Sequence, residues 1–332
     1  MSQRVPISIL DLVPVSEGST VQDALSASMR AAELADRLGY HRVWYAEHHN
    51  TAHLGANSTA VLIGQAAART ERIRVGSGGV MLPNHAPLHV AEAYGTLANF
   101  FPGRIDLGLG RAPGTDPMTA QVLSRSGADP QSFASNIYDL TSWFGKSGKA
   151  KSVPVTAGIA QGTEVPLWVL GSTVNGASIA GQLGLPFSFA SHFAPAQLEQ
   201  AIEVYRSSFD PQAPTAQLSE PYVMAGINVV VAPTDEEAQR LWTTTQQFML
   251  DVRKGGRPLQ PPVDPEELGT PSERAFSDSM LSVRAVGSPE TVRRKLTDFV
   301  AATGVDELIT VTYTYDPADR MRSMELLADV WF

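Results

Sequence analysis

The chain has 332 residues, no cysteine and a net charge of −9, from 34 acidic and 25 basic side chains. The lack of cysteine excludes disulfides, thiolate metal sites and a cysteine nucleophile, and the acidic balance argues against nucleic acid as a partner, since binding a phosphate backbone needs clustered Lys and Arg. No stretch approaches the about 20 apolar residues of a membrane span and no secretory signal is visible, so we expect a cytoplasmic protein with no membrane partner.

Short apolar runs alternate with helical patterns along the chain. Apolar residues recur at helical spacing between the runs, as in Ala24–Leu38, which Gly39 ends. Eight successive β→α units predict an α/β protein with a single (β/α)₈ TIM-barrel domain over residues 1–332, with an open doubly wound sheet as the alternative. Most of the runs are continuously apolar, as in parallel strands covered on both faces. The predicted strands are Ile7–Leu10, Arg42–Ala46, Ile73–Val80, Ile105–Leu109, Leu167–Leu170, Phe187–Ala190, Val223–Val231 and Leu308–Tyr313.

Two stretches are longer than ordinary connections between a strand and a helix. Residues 111–148 follow the fourth strand, and residues 251–286, rich in Pro, Gly and charge, precede the last one. In a barrel both insertions would leave from the C-terminal face, where active sites form. We therefore expect residues 251–286 to be a candidate active-site lid, with a disordered loop as the alternative.

Histidines follow two of the predicted strands. Glu47-His48-His49-Asn50 comes after the second strand, and Ser191-His192-Phe193 after the sixth. Because adjacent residues of a strand point in opposite directions, one of the paired histidines should face the pocket while the other packs or bonds a carbonyl. For a metal site at His48, His49 and His53, no carboxylate completes a ligand pattern at a recognised spacing, so no metal is predicted.

Other strand ends suit a flat, phosphorylated ligand. Gly78 and Gly79 would let a ring lie against the main chain, or they meet a need for small residues inside the barrel. Arg111 could hold an anion, or pair with Asp116 at the surface. The segment from Gly171 to Gly176 opens a helix whose free amides could bind phosphate, with an ordinary helix cap as the alternative. Together these features favour a cofactor such as FMN.

The sequence resembles the bacterial luciferase-like flavin monooxygenase family. The resemblance rests on GYHRVWYAEHH at 39–49, IRVGSGGVMLP at 73–83 and PGRIDLGLGR at 102–111, with looser matches at 171–172 and 184–186. Within the family it is most similar to the single-chain luciferase-like monooxygenase group, which has an EHH motif and an LPNHAP segment. The resemblance implies a barrel that takes reduced FMN as co-substrate from a separate flavin reductase. Reaction with O₂ would give a flavin C4a-hydroperoxide, which oxidises a small organic substrate.

The resemblance also implies roles for individual residues. His48 stands at the position of the catalytic histidine, and its pKa is expected to lie near neutrality. His192 is a weaker candidate for the same pocket. Relatives often pair through helices of the second and third units, so a homodimer is expected, with the alanine-rich Ala56–Ala68 stretch at its interface. The implied cofactor-binding residues are Gly78 and Gly79, often joined by a cis peptide under the flavin ring, Arg111, Gly171 and Ser172 at the phosphate, and Asn175, where a threonine often helps.

Two departures separate the chain from luciferase itself. Gly110 stands where luciferase has a reactive cysteine beside the flavin, and a second phosphate-binding arginine has no evident counterpart near Phe133. Light-emitting oxidation of long-chain aldehydes is therefore not expected. A deazaflavin-dependent oxidoreductase that transfers hydride and a non-catalytic flavin-binding protein remain alternatives, and a metal-dependent barrel hydrolase is a distant third.

Overall fold

The strands of the computed structural model form a closed parallel barrel. The structure describes residues 4–112, 114–123, 132–146, 154–252 and 254–332. Within them, β1 to β7 pair in chain order, β9 pairs with β7, and β9 returns to β1, which closes the ring. The strands are β1 (Ile7–Asp11), β2 (Arg42–Tyr45), β3 (Arg74–Met81), β4 (Ile105–Gly110), β5 (Leu167–Gly171), β6 (Phe187–Phe189), β7 (Val223–Val231), β8 (Arg284–Gly287) and β9 (Glu307–Val311).

Helices follow the strands and alternate with them along the chain. Their buried faces form one apolar core with the outer faces of the strands, and a second core, including Trp44, Trp168 and Met224, is built largely from strand residues. None of the helices within the described ranges is long and apolar enough to cross a membrane. The helices are α1 (Val21–Leu38), α2 (Thr59–Ala68), α3 (Pro87–Phe100), α4 (Pro117–Leu123), α5 (Phe133–Phe144), α6 (Val174–Gln182), α7 (Leu198–Ser208), α8 (Asp235–Val252), α9 (Pro271–Met280), α10 (Pro289–Thr303) and α11 (Pro317–Trp331).

The barrel predicted from the sequence is confirmed. Each of the eight predicted strands has an observed counterpart whose ends lie within two residues of the prediction. The alternative of an open sheet is wrong, because β9 pairs back onto β1. The sequence analysis missed β8, a four-residue strand that pairs with the second half of β7 and lies within the predicted insertion at 251–286. Its Arg-Ala-Val-Gly sequence is too short and too mixed to stand out as an apolar run.

Part of that predicted insertion packs against the loop that follows β1. Leu259 is buried; its backbone N–H donates to the Val15 carbonyl at 2.8 Å and its carbonyl accepts from Glu17 N at 2.9 Å. Helix α9 begins with a capping box, in which Thr270 and Glu273 each accept a hydrogen bond from the other's backbone N–H. The lid function of this segment stays a prediction. Of the other insertion, α4 and α5 are described, while residues 113, 124–131, 147 and 148 lie outside the described residues.

A buried ion network lies at the N-terminal ends of the strands. Arg42 donates from Nε to Glu307 Oε1 at 2.8 Å, from Nη2 to Glu307 Oε2 at 2.9 Å, and from Nη1 to Asp106 Oδ2 at 2.8 Å. Arg74 donates to the same Asp106, and the Arg42 guanidinium stacks 4.8 Å from the Trp168 ring centre. Burial alone would raise the pKa of Asp106, but the two guanidinium groups hold it below its usual range. The network therefore joins β2, β3, β4 and β9 at this end of the barrel through paired charges.

Replacing Arg42 should destabilise the protein strongly. An Arg42→Ala variant leaves the buried carboxylates of Glu307 and Asp106 short of positive charge, and breaking a buried ion pair in this way costs about 3–5 kcal/mol. The free energy of unfolding, measured by urea denaturation, should fall by that amount. The control is Arg69→Ala, which removes an exposed pair with Glu33 at 3.8 Å and should cost less than about 1 kcal/mol. Equal midpoints for the two variants would contradict the network's role.

Candidate functional site

The candidate site lies at the C-terminal ends of the strands, and its first part is the glycine pair of β3. The register between β3 and β4 shifts between Ser77 and Val80, so the pair lies in a bulge, and the Gly78–Gly79 peptide is cis, as the resemblance implied. A Cβ on Gly78 would lie 2.6 Å from Leu10 Cδ1, and one on Gly79 would lie 2.7 Å from the Gly108 carbonyl oxygen. Packing inside the barrel thus accounts for the missing side chains. The role of the pair as a support for a ring stays a prediction.

The fourth strand, β4, ends at a glycine. Gly110 is the last residue of β4, and a Cβ there would lie 2.8 Å from Met81 Sδ. Because that sulfur belongs to a flexible side chain, the site would tolerate a small side chain after a modest shift. The glycine at this position is therefore not enforced by rigid packing.

Two histidines, half-buried His48 and buried His192, lie near each other beyond the ends of β2 and β6. The Nδ1 atoms of His48 and His192 are buried and make no hydrogen bond to any described residue. Burial lowers the pKa of His48 below its ordinary value, although the Glu47 carboxylate raises it. Burial, and then the charge of His48, lower the pKa of His192 to about 4. Both shifts favour the neutral imidazole, and within the described part of the chain each ring has one nitrogen without a hydrogen-bond partner.

The position of His192 depends on a glycine in β7. A Cβ on Gly226 would lie 2.3 Å from His192 Nδ1, so only glycine leaves room for the imidazole there. Neighbouring polar groups hold the chain around it: Asn228 donates from Nδ2 to the His192 carbonyl at 2.5 Å, and Ser191 donates from Oγ to the Gly226 carbonyl at 2.6 Å. Sequence analysis missed Gly226, because a glycine within an apolar strand carries no sign of its distant neighbour.

The structure brings Arg111 and the start of α6 together. With its amide oxygen turned toward the guanidinium, Asn175 accepts hydrogen bonds from Arg111 Nη1 at 2.6 Å and Nη2 at 3.3 Å. Gly171 ends β5, and Thr173 caps α6 by accepting from Gly176 N. Ser172 is half-buried at the same strand end. The two parts of the predicted phosphate clamp are thus adjacent.

The alternative partner of Arg111 is engaged elsewhere. Asp116 accepts from Asn50 Nδ2 at 3.2 Å and from the hydroxyl and backbone N–H of Thr119 at the start of α4. Among the described residues, no ion pair joins Asp116 to Arg111. Within the described ranges the hydrogen bonds of the guanidinium go to the neutral amide of Asn175, so the group is not paired with a carboxylate there.

Glu47 joins the ends of β2 and β3 through two histidines. Its Oε1 accepts from His49 Nε2 and from His85 Nε2, each at 2.8 Å, and its Oε2 accepts from Met81 N at 3.1 Å. Burial would raise the pKa of Glu47, but the hydrogen bonds from His85, His49 and Met81 hold it below its usual range. The sequence predicted that the two adjacent histidines diverge, and His48 and His49 do so. It did not predict the contribution of His85, whose only signal is the LPNHAP segment.

Relatives of known sequence cover the whole chain. Residues 5–307 match the family model described as luciferase-like monooxygenase. The chain is 47% identical over 327 residues to the protein YvbT of Bacillus subtilis (strain 168), which covers 98% of this chain and 96% of that protein. It is 43% identical over 331 residues to a protein of Escherichia coli (strain K12) named luciferase-like monooxygenase, with coverage of 99% and 97%.

Solved structures share the fold. The crystal structure of apo-MsnO8 has a TM-score of 0.85 and 34% identity, with 98% of both chains covered. The oxygenating constituent of 3,6-diketocamphane monooxygenase from Pseudomonas putida, in complex with FMN, has a TM-score of 0.71 and 20% identity, with 98% of both chains covered. An F420-dependent secondary alcohol dehydrogenase, in complex with an F420–acetone adduct, has a TM-score of 0.66 and 15% identity, with coverage of 99% and 100%. The last two are below 25% identity and show the fold alone.

A methyl group at position 226 should displace His192. The Gly226→Ala variant should lose about 1–3 kcal/mol of unfolding free energy by overpacking. The same change in a His192→Ala background should cost less than about 0.5 kcal/mol, since the clashing imidazole is gone. Gly158→Ala is the control, because no atom lies within 4 Å of its added Cβ. Denaturant titration of the four variants measures the coupling, and additive losses would show that His192 does not occupy this space.

Proposed function

Because the chain belongs to the luciferase-like monooxygenase family, we propose that it is a two-component flavin monooxygenase. It takes reduced FMN from a separate flavin reductase and uses O₂ to oxidise a small organic substrate. Bound reduced FMN supplies the two electrons with which one oxygen atom of O₂ enters the substrate and the other leaves as water. The observation that carries the proposal is the pair of buried imidazole nitrogens, Nδ1 of His48 and of His192, for which the described part of the chain offers no hydrogen-bond partner.

Those two nitrogens fit a polar ligand at the strand ends. A buried polar atom without a hydrogen bond costs about 1–3 kcal/mol, so proteins rarely keep two of them together without a use. The edge of a flavin, or a substrate beside it, carries donors and acceptors that could satisfy both. The glycine pair Gly78–Gly79 contributes a stretch of main chain with no side chain to obstruct a flat ring.

The phosphate of FMN would lie between Arg111 and the start of α6. Arg111 would pair with it in a charge-assisted bond, and its amide partner Asn175 is a neutral group that a dianion can displace. Ser172 and the free amides at the helix start would complete the site, helped by the positive end of the helix dipole. Gly171 leaves the strand end close to the helix, with the Gly176 Cα 3.6 Å from where its Cβ would be.

In this proposal His48 moves a proton at Nδ1. As a neutral imidazole with a free ring nitrogen, it can accept a proton from the substrate or from the reduced cofactor. His192 beside it is a cofactor-binding residue that presents a second neutral acceptor. Residues 251–286 serve as the lid that excludes water from the reacting atoms; the hydrogen bonds of Leu259 to Val15 and Glu17 support a closed position.

Two further parts of the proposal concern partners. Exposed Val61 on α2 and Phe100 at the end of α3 support a homodimer through these helices, which the molar mass in solution will test. The flavin reductase is proposed from the need for reduced FMN, and a deazaflavin in its place is the main competing outcome. The clamp can hold the phosphate of either cofactor, so a binding comparison has to separate them.

Loss of the Arg111 charge should weaken FMN binding and spare riboflavin. A charge-assisted bond contributes about 1.5–3 kcal/mol, so Arg111→Ala should raise the Kd for reduced FMN by roughly 10- to 100-fold. Anaerobic calorimetric titration measures this. Riboflavin, which lacks the phosphate, should bind both proteins equally. Tighter binding of reduced deazaflavin than of reduced FMN by the wild type would overturn the choice of cofactor.

Loss of the His48 imidazole should separate binding from turnover. With NADH, a flavin reductase and a panel of sulfides, ketones and aldehydes, His48→Gln should form oxygenated product at least about 100-fold more slowly, because its general base is gone. The affinity for reduced FMN should change much less, and more of the consumed oxygen should appear as hydrogen peroxide. The exposed His89→Gln is the control. Equal oxygen consumption and no product in any of the three proteins would favour a binding-only role.

A further inference from the structure

Three potential metal ligands converge beside the candidate flavin site. We define the Glu47 triad as Glu47, His49 and His85, whose ligand atoms all lie within 4.8 Å of one another. The carboxylate is almost fully buried, at 1% exposure, whereas the imidazoles of His49 and His85 are 19% and 31% exposed. The ligands therefore have a closed protein side and an open solvent side. The sequence analysis considered His48, His49 and His53 instead and predicted no metal site.

The arrangement of the triad resembles a three-ligand metal site. Both Nε2 atoms lie 2.8 Å from the same oxygen, Glu47 Oε1. Ligand atoms around a tetrahedral ion with bonds of about 2.0–2.1 Å lie about 3.3 Å apart, so a separation of roughly 0.5 Å would admit the ion. Half-buried imidazoles can make that movement by small side-chain rotations. The Met81 N–H, which holds the other carboxylate oxygen at 3.1 Å, supplies the outer hydrogen bond that metal-binding carboxylates usually have.

We propose that the Glu47 triad binds one divalent transition-metal ion, of the class of Zn²⁺ or Co²⁺. Two imidazoles and one carboxylate suit such ions, whereas Ca²⁺ and Mg²⁺ prefer more oxygen ligands. The open side leaves at least one position for water. The site is separate from flavin binding in its ligands, because it uses neither Arg111 nor the Nδ1 atoms of His48 and His192.

Binding replaces hydrogen bonds with metal bonds and needs no other reactant. In the described arrangement each imidazole donates from Nε2–H to Glu47. With the ion present, each Nε2 lone pair binds the metal and the ring proton lies on Nδ1. Glu47 exchanges its two imidazole donors for one bond to the ion and keeps the Met81 hydrogen bond. No proton is lost when both imidazoles begin neutral, so the step balances.

Zinc titration of the tag-free, chelator-treated full chain tests the proposal. Calorimetry should give one Zn²⁺ per chain. His85→Gln should weaken binding at least tenfold, because it removes a ligand and leaves two. The matched control is His89→Gln, which removes an exposed histidine four residues away and should bind as the wild type does. The visible absorption of bound Co²⁺ should report a low-coordinate nitrogen and oxygen site in the wild type and in the control only.

Several outcomes would overturn the site. These are zinc binding weaker than about 1 mM, equal binding by His85→Gln and wild type, or equal losses in His85→Gln and His89→Gln. Circular dichroism confirms that each variant is folded, and His49→Gln provides the same test if His85→Gln is not. Because the titration contains no flavin, its failure leaves the proposed monooxygenase function unaffected.

Discussion

The buried ion pairs of Arg42 with Glu307 and Asp106 are the interactions on which the rest of the barrel depends. The guanidinium joins the first residue of β2 to Glu307 at the first residue of β9 and to Asp106 in β4, so it spans the junction where the ring of strands closes. Ser8 of β1 also donates to Glu307, as does the Tyr222 hydroxyl before β7. With Arg74 of β3, which also donates to Asp106, six segments thus share one set of paired charges at the N-terminal end. Because these charges pair with one another, the buried carboxylates of Asp106 and Glu307 stay satisfied while they join the strands.

Close packing inside the barrel fixes the positions of the glycines and of His192 toward the C-terminal ends of the strands. Trp44 and Trp168 pack together in the second core, and their rings meet edge to face with centres 5.1 Å apart. Gly78 and Gly79 approach their neighbours so closely that side chains cannot fit, and Gly226 yields its space to His192. The narrow interior therefore accounts for the glycines in the bulge of β3 and for the position of the His192 imidazole against β7. Gly78 and Gly79, which packing requires to be glycines, are thus also residues of the candidate site, as is His192, which packs against Gly226.

The two adjacent histidines of the EHH motif, His48 and His49, have different surroundings. His48 is half-buried, and its buried Nδ1 has no hydrogen-bond partner in the described ranges, whereas His49 bonds Glu47 together with His85. The alternation of side chains at the end of a strand accounts for this division. It also separates the two proposals: the flavin proposal relies on the inward histidine, and the metal proposal on the outward one. The carboxylate of Glu47 links them, since its charge raises the pKa of the neighbouring His48.

The sequence alone determined eight of the nine described strands, the barrel and the side of the barrel on which the candidate site is expected. Continuous apolar runs and helical spacing are local patterns, and the position of Arg111 or His48 after a strand follows from them directly. Only the tertiary structure decided which residues distant in sequence contact one another. Arg42 and Glu307 are 265 residues apart, Glu47 and His85 are 38 apart, and Gly226 meets His192 across two strands. Such contacts depend on strand register and on three-dimensional packing, which no local periodicity encodes. The sequence analysis missed β8 because four residues are too few to show a periodic pattern.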